Sequence, residues 1–210
     1  MPSAPPRLIT LILLTALSAL SLNMILPSLP AMARDLGARE SVTGLAVSGY
    51  MLLSAVFQLT LGPVSDRLGR RTVMLAALAV YAGASLGCLL APDVGTLLAC
   101  RMLQGVIVAG AVVSSAVVRD QFGVAQSAAR LGAISSAMAV VPMLGPLLGG
   151  LIDGALGWRS VFGLYAVLGA GLLVWVWFDM GETRQPGLPP PRLQDMAALL
   201  RSQRYWAFVL

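Results

Sequence analysis

Long apolar runs separated by short polar segments form the main pattern along this chain. A transmembrane helix needs about 20 apolar residues to cross about 30 Å of hydrocarbon, whereas a membrane β-barrel shows short segments of alternating polarity. The pattern therefore predicts an all-α membrane protein with a six-helix transmembrane bundle. The predicted spans are Leu8–Ala31, Val42–Val64, Val73–Leu90, Gly95–Val117, Leu131–Ile152 and Val161–Phe178.

The composition agrees with a chain embedded in lipid. Of its 210 residues, 58% are hydrophobic and 11% are charged, against about 45–50% and about 25% in soluble domains. The chain has no histidine, the residue that most often binds metals or serves as a general base near neutral pH. Its two cysteines, Cys88 and Cys100, lack metal-site spacing. We therefore expect no cofactor, no metal and no enzymatic activity.

The basic residues, all of them arginines, lie between the apolar runs and do not form the clustered surface of a nucleic-acid-binding protein. Ten fall on the side of the membrane that holds both ends of the chain: Arg7, Arg67, Arg70, Arg71, Arg119, Arg130, Arg184, Arg192, Arg201 and Arg204. Arg34, Arg39 and Arg159 fall on the other side. Because arginine is enriched in cytoplasmic loops, both ends are predicted to be cytoplasmic.

The chain divides into three predicted parts. Residues 1–178 form the six-span bundle, and residues 179–200 form a cytoplasmic linker because Gly181–Pro191 is rich in proline and glycine. A short amphipathic helix is predicted over Leu193–Leu200. Residues 201–210 begin a new apolar run and are interpreted as the start of a seventh span, so we expect the chain to be truncated.

A particular order of glycines and charges follows the second span. The segment reads Gly62-Pro63-Val64-Ser65-Asp66-Arg67-Leu68-Gly69-Arg70-Arg71. Glycine and proline are expected to end the second span, and Gly69 permits a tight turn. Asp66 is expected to accept a hydrogen bond from Arg70 or Arg71, or to cap a helix amino end. The alternative is a basic loop that only sets topology.

This segment resembles the signature loop of the major facilitator superfamily, which joins helices two and three. The resemblance implies a gate latch whose central residues here are Asp66, Gly69 and Arg70, with Gly62, Arg67 and Arg71 completing the loop. It also implies that the bundle consists of two inverted three-helix repeats and is half of a protein about twice this length.

The fourth span opens with Arg101, Gln104 and Gly105. A charge inside a membrane span is costly and suggests a function, although a side chain near the span's end can also reach the interface. The superfamily has an arginine, a glutamine and a glycine at this spacing. The resemblance implies a role in proton transfer or in a polar network, and guanidinium itself does not deprotonate in proteins.

The fifth span is rich in glycine and proline. Glycines four residues apart allow close helix packing, and prolines are expected to kink the span. The segment resembles the antiporter motif of drug-exporting branches of the superfamily. The matching residues are Gly132, Pro142, Gly145, Pro146, Gly149 and Gly150, whereas Val141 stands where that motif has a glycine.

The end of the first span, Leu20–Pro30, resembles the bicyclomycin- and chloramphenicol-resistance branch of the drug:proton antiporters with 12 spans. Those relatives commonly carry an aspartate where Asn23 stands, and an asparagine cannot bind and release a proton. Tyr50 and Gln58 are eight residues apart on the second span. Asn23, Tyr50, Gln58 and Arg101 are the candidates for a substrate cavity.

The resemblance implies a multi-pass transporter of the bacterial inner membrane that exports small, largely apolar drugs, with proton antiport as the expected driving mechanism. Its expected partners are the lipid bilayer, a small-molecule substrate, protons and the missing carboxy-terminal half. One alternative is a non-transporting or homodimerising six-span module. Another is a carrier for sugars or other metabolites.

Overall fold

The computed structural model describes residues 6–181, and this part of the chain is almost entirely helical. It contains six helical spans that are long and apolar enough to cross a membrane. The predicted all-α six-helix bundle is therefore confirmed. Most of the predicted linker, its amphipathic helix and the start of a seventh span lie outside the described residues.

Two of the six spans are interrupted by 3₁₀ segments. The first span consists of α1 (Leu8–Asn23), a 3₁₀ turn (Leu26–Ser28) and α2 (Leu29–Asp35). The second is α3 (Glu40–Leu68) and the third is α4 (Arg70–Leu89). The fourth consists of α5 (Val94–Leu103), a 3₁₀ segment (Gln104–Val108) and α6 (Ala109–Gln121). The fifth is α7 (Val124–Leu156) and the sixth is α8 (Arg159–Asp179).

The helix that carries Arg101 starts at a side-chain cap. The Asp93 carboxylate accepts hydrogen bonds from the Thr96 backbone N–H at 2.9 Å and the Thr96 hydroxyl at 2.8 Å. These bonds hold the pKa of the Asp93 carboxyl below its ordinary value because they favour its charged form. The cap fixes the start of α5 about two turns before Arg101.

The second and fifth spans extend beyond the predicted bounds. Gly62 and Pro63 do not end the second span, which continues as helix to Leu68. The fifth span begins at Val124, seven residues before the predicted start. Hydropathy marks the part of a helix inside hydrocarbon, whereas a helix can continue into the interface because its backbone bonds remain satisfied. The two predicted cytoplasmic loops therefore shrink to the single residue Gly69 and to Phe122–Gly123.

The packing has the symmetry that two three-helix repeats require. α4 packs most extensively against α8, α1 packs against α7, and α3 packs against the fourth span. If spans one, two and three are exchanged with spans four, five and six, the contact between spans one and five becomes the contact between spans four and two. Both contacts are present, as α1 with α7 and as the fourth span with α3. Because each repeat has an odd number of spans, the second repeat crosses the membrane in the opposite direction to the first.

Two spans leave most of their apolar surface uncovered. Within an apolar stretch of 18 residues in each span, only 11% of the α7 stretch and 22% of the α3 stretch is buried, against 33–50% in the other spans. On α7 the uncovered residues Met143, Leu147 and Leu151 are four apart and form one stripe, with exposures of 78%, 60% and 63%. These faces require lipid or another apolar partner.

Candidate functional site

The Arg101 guanidinium is fully buried at the centre of the bundle. Its Nη2 donates to the Ser21 carbonyl at 2.6 Å, and its Nη1 donates to the Gln104 side-chain oxygen at 2.7 Å and the Ser21 hydroxyl at 3.2 Å. Its Nε donates to the Ala46 carbonyl at 3.2 Å. The Tyr50 ring lies 4.2 Å from the guanidinium carbon. All three nitrogens of the guanidinium are therefore engaged.

Hydrogen bonds extend this cluster to further spans. The Gln104 amide donates to the Ser85 hydroxyl at 2.7 Å, and that hydroxyl donates to the Tyr81 carbonyl at 2.7 Å. The Tyr165 hydroxyl donates to the Ser21 carbonyl at 3.2 Å. The first, second, third, fourth and sixth spans thus meet at one polar network, which we call the Arg101 network. It links five of the six spans through hydrogen bonds.

The positive charge of Arg101 has no carboxylate partner among residues 6–181. The carboxylates of this part lie at helix ends or between spans: Asp35, Glu40, Asp66, Asp93, Asp120, Asp153 and Asp179. Carbonyl and hydroxyl dipoles and an aromatic face stabilise the guanidinium instead. A buried charge held only by dipoles attracts an anionic group in a neighbouring segment or ligand.

The structure brings together two of the four residues predicted to line a cavity. Arg101 and Tyr50 are in contact and both are buried. Asn23 is half-buried, and its amide donates to the Ala19 carbonyl of its own helix at 2.8 Å. Gln58 is exposed on α3, away from the Arg101 network. The assignment of these four residues to one substrate cavity stays a prediction.

Sequence reasoning missed Ser21, Ser85 and Tyr165 as members of the network. Serines and tyrosines are frequent in these spans and carry no charge that would mark them. Of the three, only Ser21 could have been suspected from the sequence, because it lies two residues before Asn23, which was a cavity candidate. Gln104 and Gly105 were predicted. A Cβ on Gly105 would lie 3.0 Å from the Ser54 hydroxyl and 3.3 Å from the Tyr50 carbonyl, so this glycine lets the second and fourth spans approach closely.

A second charged cluster lies where the gate latch was predicted. Arg70 Nη2 lies 3.2 Å from an Asp66 carboxylate oxygen and 2.6 Å from an Asp120 carboxylate oxygen. Asp120 is in the last turn of α6, so the cluster joins the second, third and fourth spans. Sequence reasoning placed Asp66 with Arg70 or Arg71 but missed Asp120, which is fifty residues further along the chain.

The other residues of the predicted latch lie at separate positions. Gly69 connects α3 to α4 with a φ of 96°, a conformation that favours glycine. Arg71 Nη2 donates to the Trp177 carbonyl at 2.7 Å and its guanidinium lies over the Trp177 ring. Arg67 is exposed, and Gly62 lies inside α3 with open space beside it. Asp66 therefore pairs with Arg70, while Arg71 ties the third span to the sixth.

Asp120→Asn is expected to lower the thermal stability of the protein more than Asp66→Asn, because Asp120 lies closer to Arg70. Hydrogen bonds to charged groups contribute about 1.5–3 kcal/mol, and solvent reduces this at carboxylates that are 32% and 39% exposed. Thermal unfolding midpoints of the full-length variants measure the difference. Glu40→Gln, at the exposed start of α3, is the control. A midpoint for Asp120→Asn equal to that of the wild type would contradict the expectation.

The glycines of the fifth span differ in how closely the first span approaches them. A Cβ on Gly149 would lie 1.9 Å from the Met24 carbonyl oxygen, and one on Gly145 would lie 3.0 Å from the Asn23 Cβ. A Cβ on Gly150 would make an ordinary contact with Pro27 at 3.8 Å, and one on Gly132 would meet nothing within 4 Å. The close packing predicted from this motif therefore falls on Gly145 and Gly149. Pro142 and Pro146 lie inside a continuous α7.

No cluster of three or more metal-ligating side chains occurs in residues 6–181. Arginine and carboxylate groups at the two ends of the bundle, and the Arg101 network at its centre, are its main ionic features. At the end of the bundle opposite the Asp66–Arg70–Asp120 cluster, Arg159 and the Trp158 indole both donate to the Asp35 carboxylate. The arrangement can bind or reposition charged and polar groups.

Comparison with known proteins gives matches over nearly the whole chain. Residues 11–210 match the family model described as Major Facilitator Superfamily. A chloramphenicol resistance protein of Pseudomonas aeruginosa is 35% identical over 199 residues, covering 92% of this chain and 47% of that protein. Multidrug resistance protein D of Escherichia coli (strain K12) is 33% identical over 187 residues, covering 89% of this chain and 48% of that protein. The chain thus spans about half the length of these curated relatives.

Solved structures share the fold at lower identity. A crystal structure of a peptide transporter in complex with sulfate aligns with a TM-score of 0.75 at 19% identity, covering 99% of this chain and 47% of the other. The crystal structure of the human organic anion transporter TETRAN aligns with a TM-score of 0.71 at 21% identity, covering 92% of this chain and 59% of the other. These structures show that the six-span arrangement has the fold of about half of each of those chains.

Proposed function

This chain belongs to the Major Facilitator Superfamily, and on that premise we propose that the whole protein exports small, largely apolar compounds across a bacterial inner membrane in exchange for protons. The observation that carries the substrate class is the similarity to drug-resistance proteins. The chloramphenicol resistance protein and the multidrug resistance protein are 35% and 33% identical to this chain over about nine-tenths of it.

The geometry supports transport by two bodies that move against each other. The Arg101 network joins five of the six spans, so this half is expected to move as a unit. α7 and α3 leave apolar stripes uncovered, and we propose that a second six-span half covers part of them. The alternative occupant is a second copy of the same six-span module, so cross-linking in native membranes distinguishes one chain from a homodimer.

Proton coupling needs a group whose protonation favours one of the two states of the transporter. Asn23 cannot supply it, and no carboxylate of residues 6–181 contacts the Arg101 network. We therefore place the proton-binding carboxylate in the second half, facing the uncompensated charge of Arg101. Arg101 lowers the proton affinity of such a group because it stabilises the ionised form.

The orientation follows from the distribution of arginines. We propose that the end of the bundle with Arg70, Arg71 and Arg7 faces the cytoplasm, because this end holds most of the arginines outside the spans. Cysteines introduced at Val124 and Arg39 lie at opposite ends. A membrane-impermeant thiol reagent added to intact cells is expected to label Arg39→Cys and leave Val124→Cys unlabelled, and the reverse pattern would invert the topology.

Efflux from cells that express the full-length protein tests the substrate class. We expect faster loss of a fluorescent lipophilic cation than from cells without the protein, and no change in the movement of a labelled sugar. An uncoupler that dissipates the proton gradient is expected to abolish the difference. Movement of the sugar without movement of the lipophilic cation would overturn the proposed drug export in favour of a metabolite carrier.

A further inference from the structure

An apolar groove runs along the outside of the bundle between the first, fifth and sixth spans. Leu13, Leu17 and Leu20 of α1 form its floor, Val141 of α7 forms one wall, and Val167 and Trp175 of α8 form the other. Its volume is about 510 Å³, within the range of about 300–1,000 Å³ of small-ligand sites. Val167 is 69% exposed and Leu13 is 39% exposed. The groove is therefore open on the side where a membrane protein meets lipid.

The groove adjoins a second cavity at the end of the bundle, which we call the mouth. Gly171 and Trp175 line both the groove and the mouth, whose other lining residues are Arg7, Val174, Phe178 and Asp179. The mouth has a volume of about 370 Å³. The apolar groove thus ends beside two charged residues, Arg7 and Asp179, which matches the two chemical parts of an amphipathic molecule.

Hydrogen bonds hold the mouth in shape. The Trp175 indole donates to the Thr10 hydroxyl at 2.9 Å, and that hydroxyl donates to the Asp179 carboxylate. The Arg7 backbone N–H donates to the same carboxylate at 3.1 Å. These bonds fix the indole as a rigid wall and largely satisfy Asp179, whose side chain is only 12% exposed.

Arg7 retains donors for a ligand. Its Nε lies 3.4 Å from an Asp179 carboxylate oxygen, and its side chain is 73% exposed. Neither Nη group forms a hydrogen bond with another residue in the part of the chain that the structure describes. A guanidinium with its terminal donors free binds phosphate oxygens in a two-pronged geometry.

The length and direction of the groove match one lipid leaflet. Arg7 and Leu20 are thirteen residues apart at the two ends of the path, about 20 Å along a helix axis. Half of a bilayer core is about 15 Å thick, with headgroups beyond it. The path runs parallel to the helices, as acyl chains do, and an indole near its mouth suits the membrane interface.

We propose that this feature is a binding site for one phospholipid of the leaflet at the Arg7 end, with its phosphate on Arg7 and one acyl chain along α1 and α8. The site lies outside the bundle and is distinct from the Arg101 network. The bound lipid fills the space between the fifth and sixth spans, which make fewer contacts with each other than the first and fifth spans do.

The test uses the full-length protein in bilayers that contain a phospholipid with a photoreactive diazirine on its acyl chain. Illumination is expected to attach the lipid to α8 between Val167 and Trp175, as mapped by mass spectrometry of peptides. Gly171→Leu places a side chain in the groove. Because no atom lies within 4 Å of a Cβ at Gly171, this change is expected to abolish labelling there without disturbing the fold. Gly83→Leu is the matched control because Gly83 is exposed on α4 with equally open space.

The headgroup contact is tested separately. Arg7→Gln is expected to reduce labelling about fivefold, the effect of one interfacial charge on an anionic headgroup, and Arg7→Lys is expected to restore most of it. Arg130→Gln, which removes an arginine that lies over Phe122 and not at the groove, is expected to change nothing. Equal labelling in Gly171→Leu and wild type would overturn the site. Displacement of the lipid by a transported compound would assign the groove to substrate and overturn the lipid proposal.

Discussion

Replacing Arg101 with alanine is expected to abolish export while the protein still reaches the membrane. The change removes four hydrogen bonds and the charge at the point where five spans meet. The Gln104 side-chain oxygen loses its partner inside the bundle, and a buried acceptor without a partner costs about 1–3 kcal/mol. We therefore expect both a lower thermal midpoint and a loss of transport.

Arg101→Lys separates the loss of transport from the loss of stability. A lysine keeps the positive charge but cannot place donors on Ser21, Ala46 and Gln104 together, because its ammonium is a point donor on a flexible chain. Losing one charge-assisted hydrogen bond of about 1.5–3 kcal/mol corresponds to a rate reduction of roughly ten- to a hundredfold. We expect such a reduction in efflux at unchanged membrane abundance.

Two serine substitutions test the extent of the network, one within it and one as a control. Ser85→Ala removes the far end of the Arg101 network, so it is expected to reduce efflux in the same direction by a smaller amount. Ser136→Ala removes an exposed hydroxyl that donates only within its own helix, and it is expected to have no effect. Full drug efflux by Arg101→Ala at wild-type protein levels would show that the network has no role in transport.

Gly149→Ala is expected to cause the largest loss of stability among the glycine substitutions. The added Cβ would lie 1.9 Å from the Met24 carbonyl oxygen and 2.9 Å from its carbon. Both are backbone atoms, so the first and fifth spans must move apart. Overpacking of this kind costs about 1–3 kcal/mol, occasionally more, and we expect the upper end of that range.

Gly154→Ala on the same helix is the control. Nothing lies within 4 Å of a Cβ at Gly154, and alanine is favoured over glycine within a helix by about 0.5–1 kcal/mol. The thermal unfolding midpoint should therefore fall for Gly149→Ala and stay level or rise for Gly154→Ala. Gly132→Ala, in the same motif and also in open space, should behave like Gly154→Ala. Equal losses for Gly149→Ala and Gly132→Ala would show that helix approach does not explain the motif.

The spans could be predicted from the sequence because hydrocarbon imposes a minimum length on every apolar run. Their ends could not, since helices such as α3 and α7 continue into the interface where composition is polar. The interruption of the first span has a visible cause in Pro27, which has no N–H donor. The 3₁₀ segment of the fourth span, in contrast, has no cause that the hydropathy pattern reveals.

Some residues of the candidate site could likewise be predicted from the sequence, and others could not. Arg101 could be predicted because a charge within an apolar run is rare, and Asp66 with Arg70 because they are four residues apart at one turn. Asp120, Ser85 and Tyr165 are brought to those arginines by packing between distant spans. A single sequence contains no signal for such pairings, because each depends on the arrangement of the whole bundle.

Proton-coupled transport by the purified full-length protein in liposomes tests the central claim most directly. A pH gradient is imposed across the vesicle membrane, a lipophilic cation is added, and internal pH and compound uptake are recorded together. We expect the compound to accumulate against its gradient while protons move in the opposite direction, and we expect both movements to be lost in Arg101→Ala. Proton-independent movement of the compound, or none at all in the wild type, would contradict proton-driven drug export.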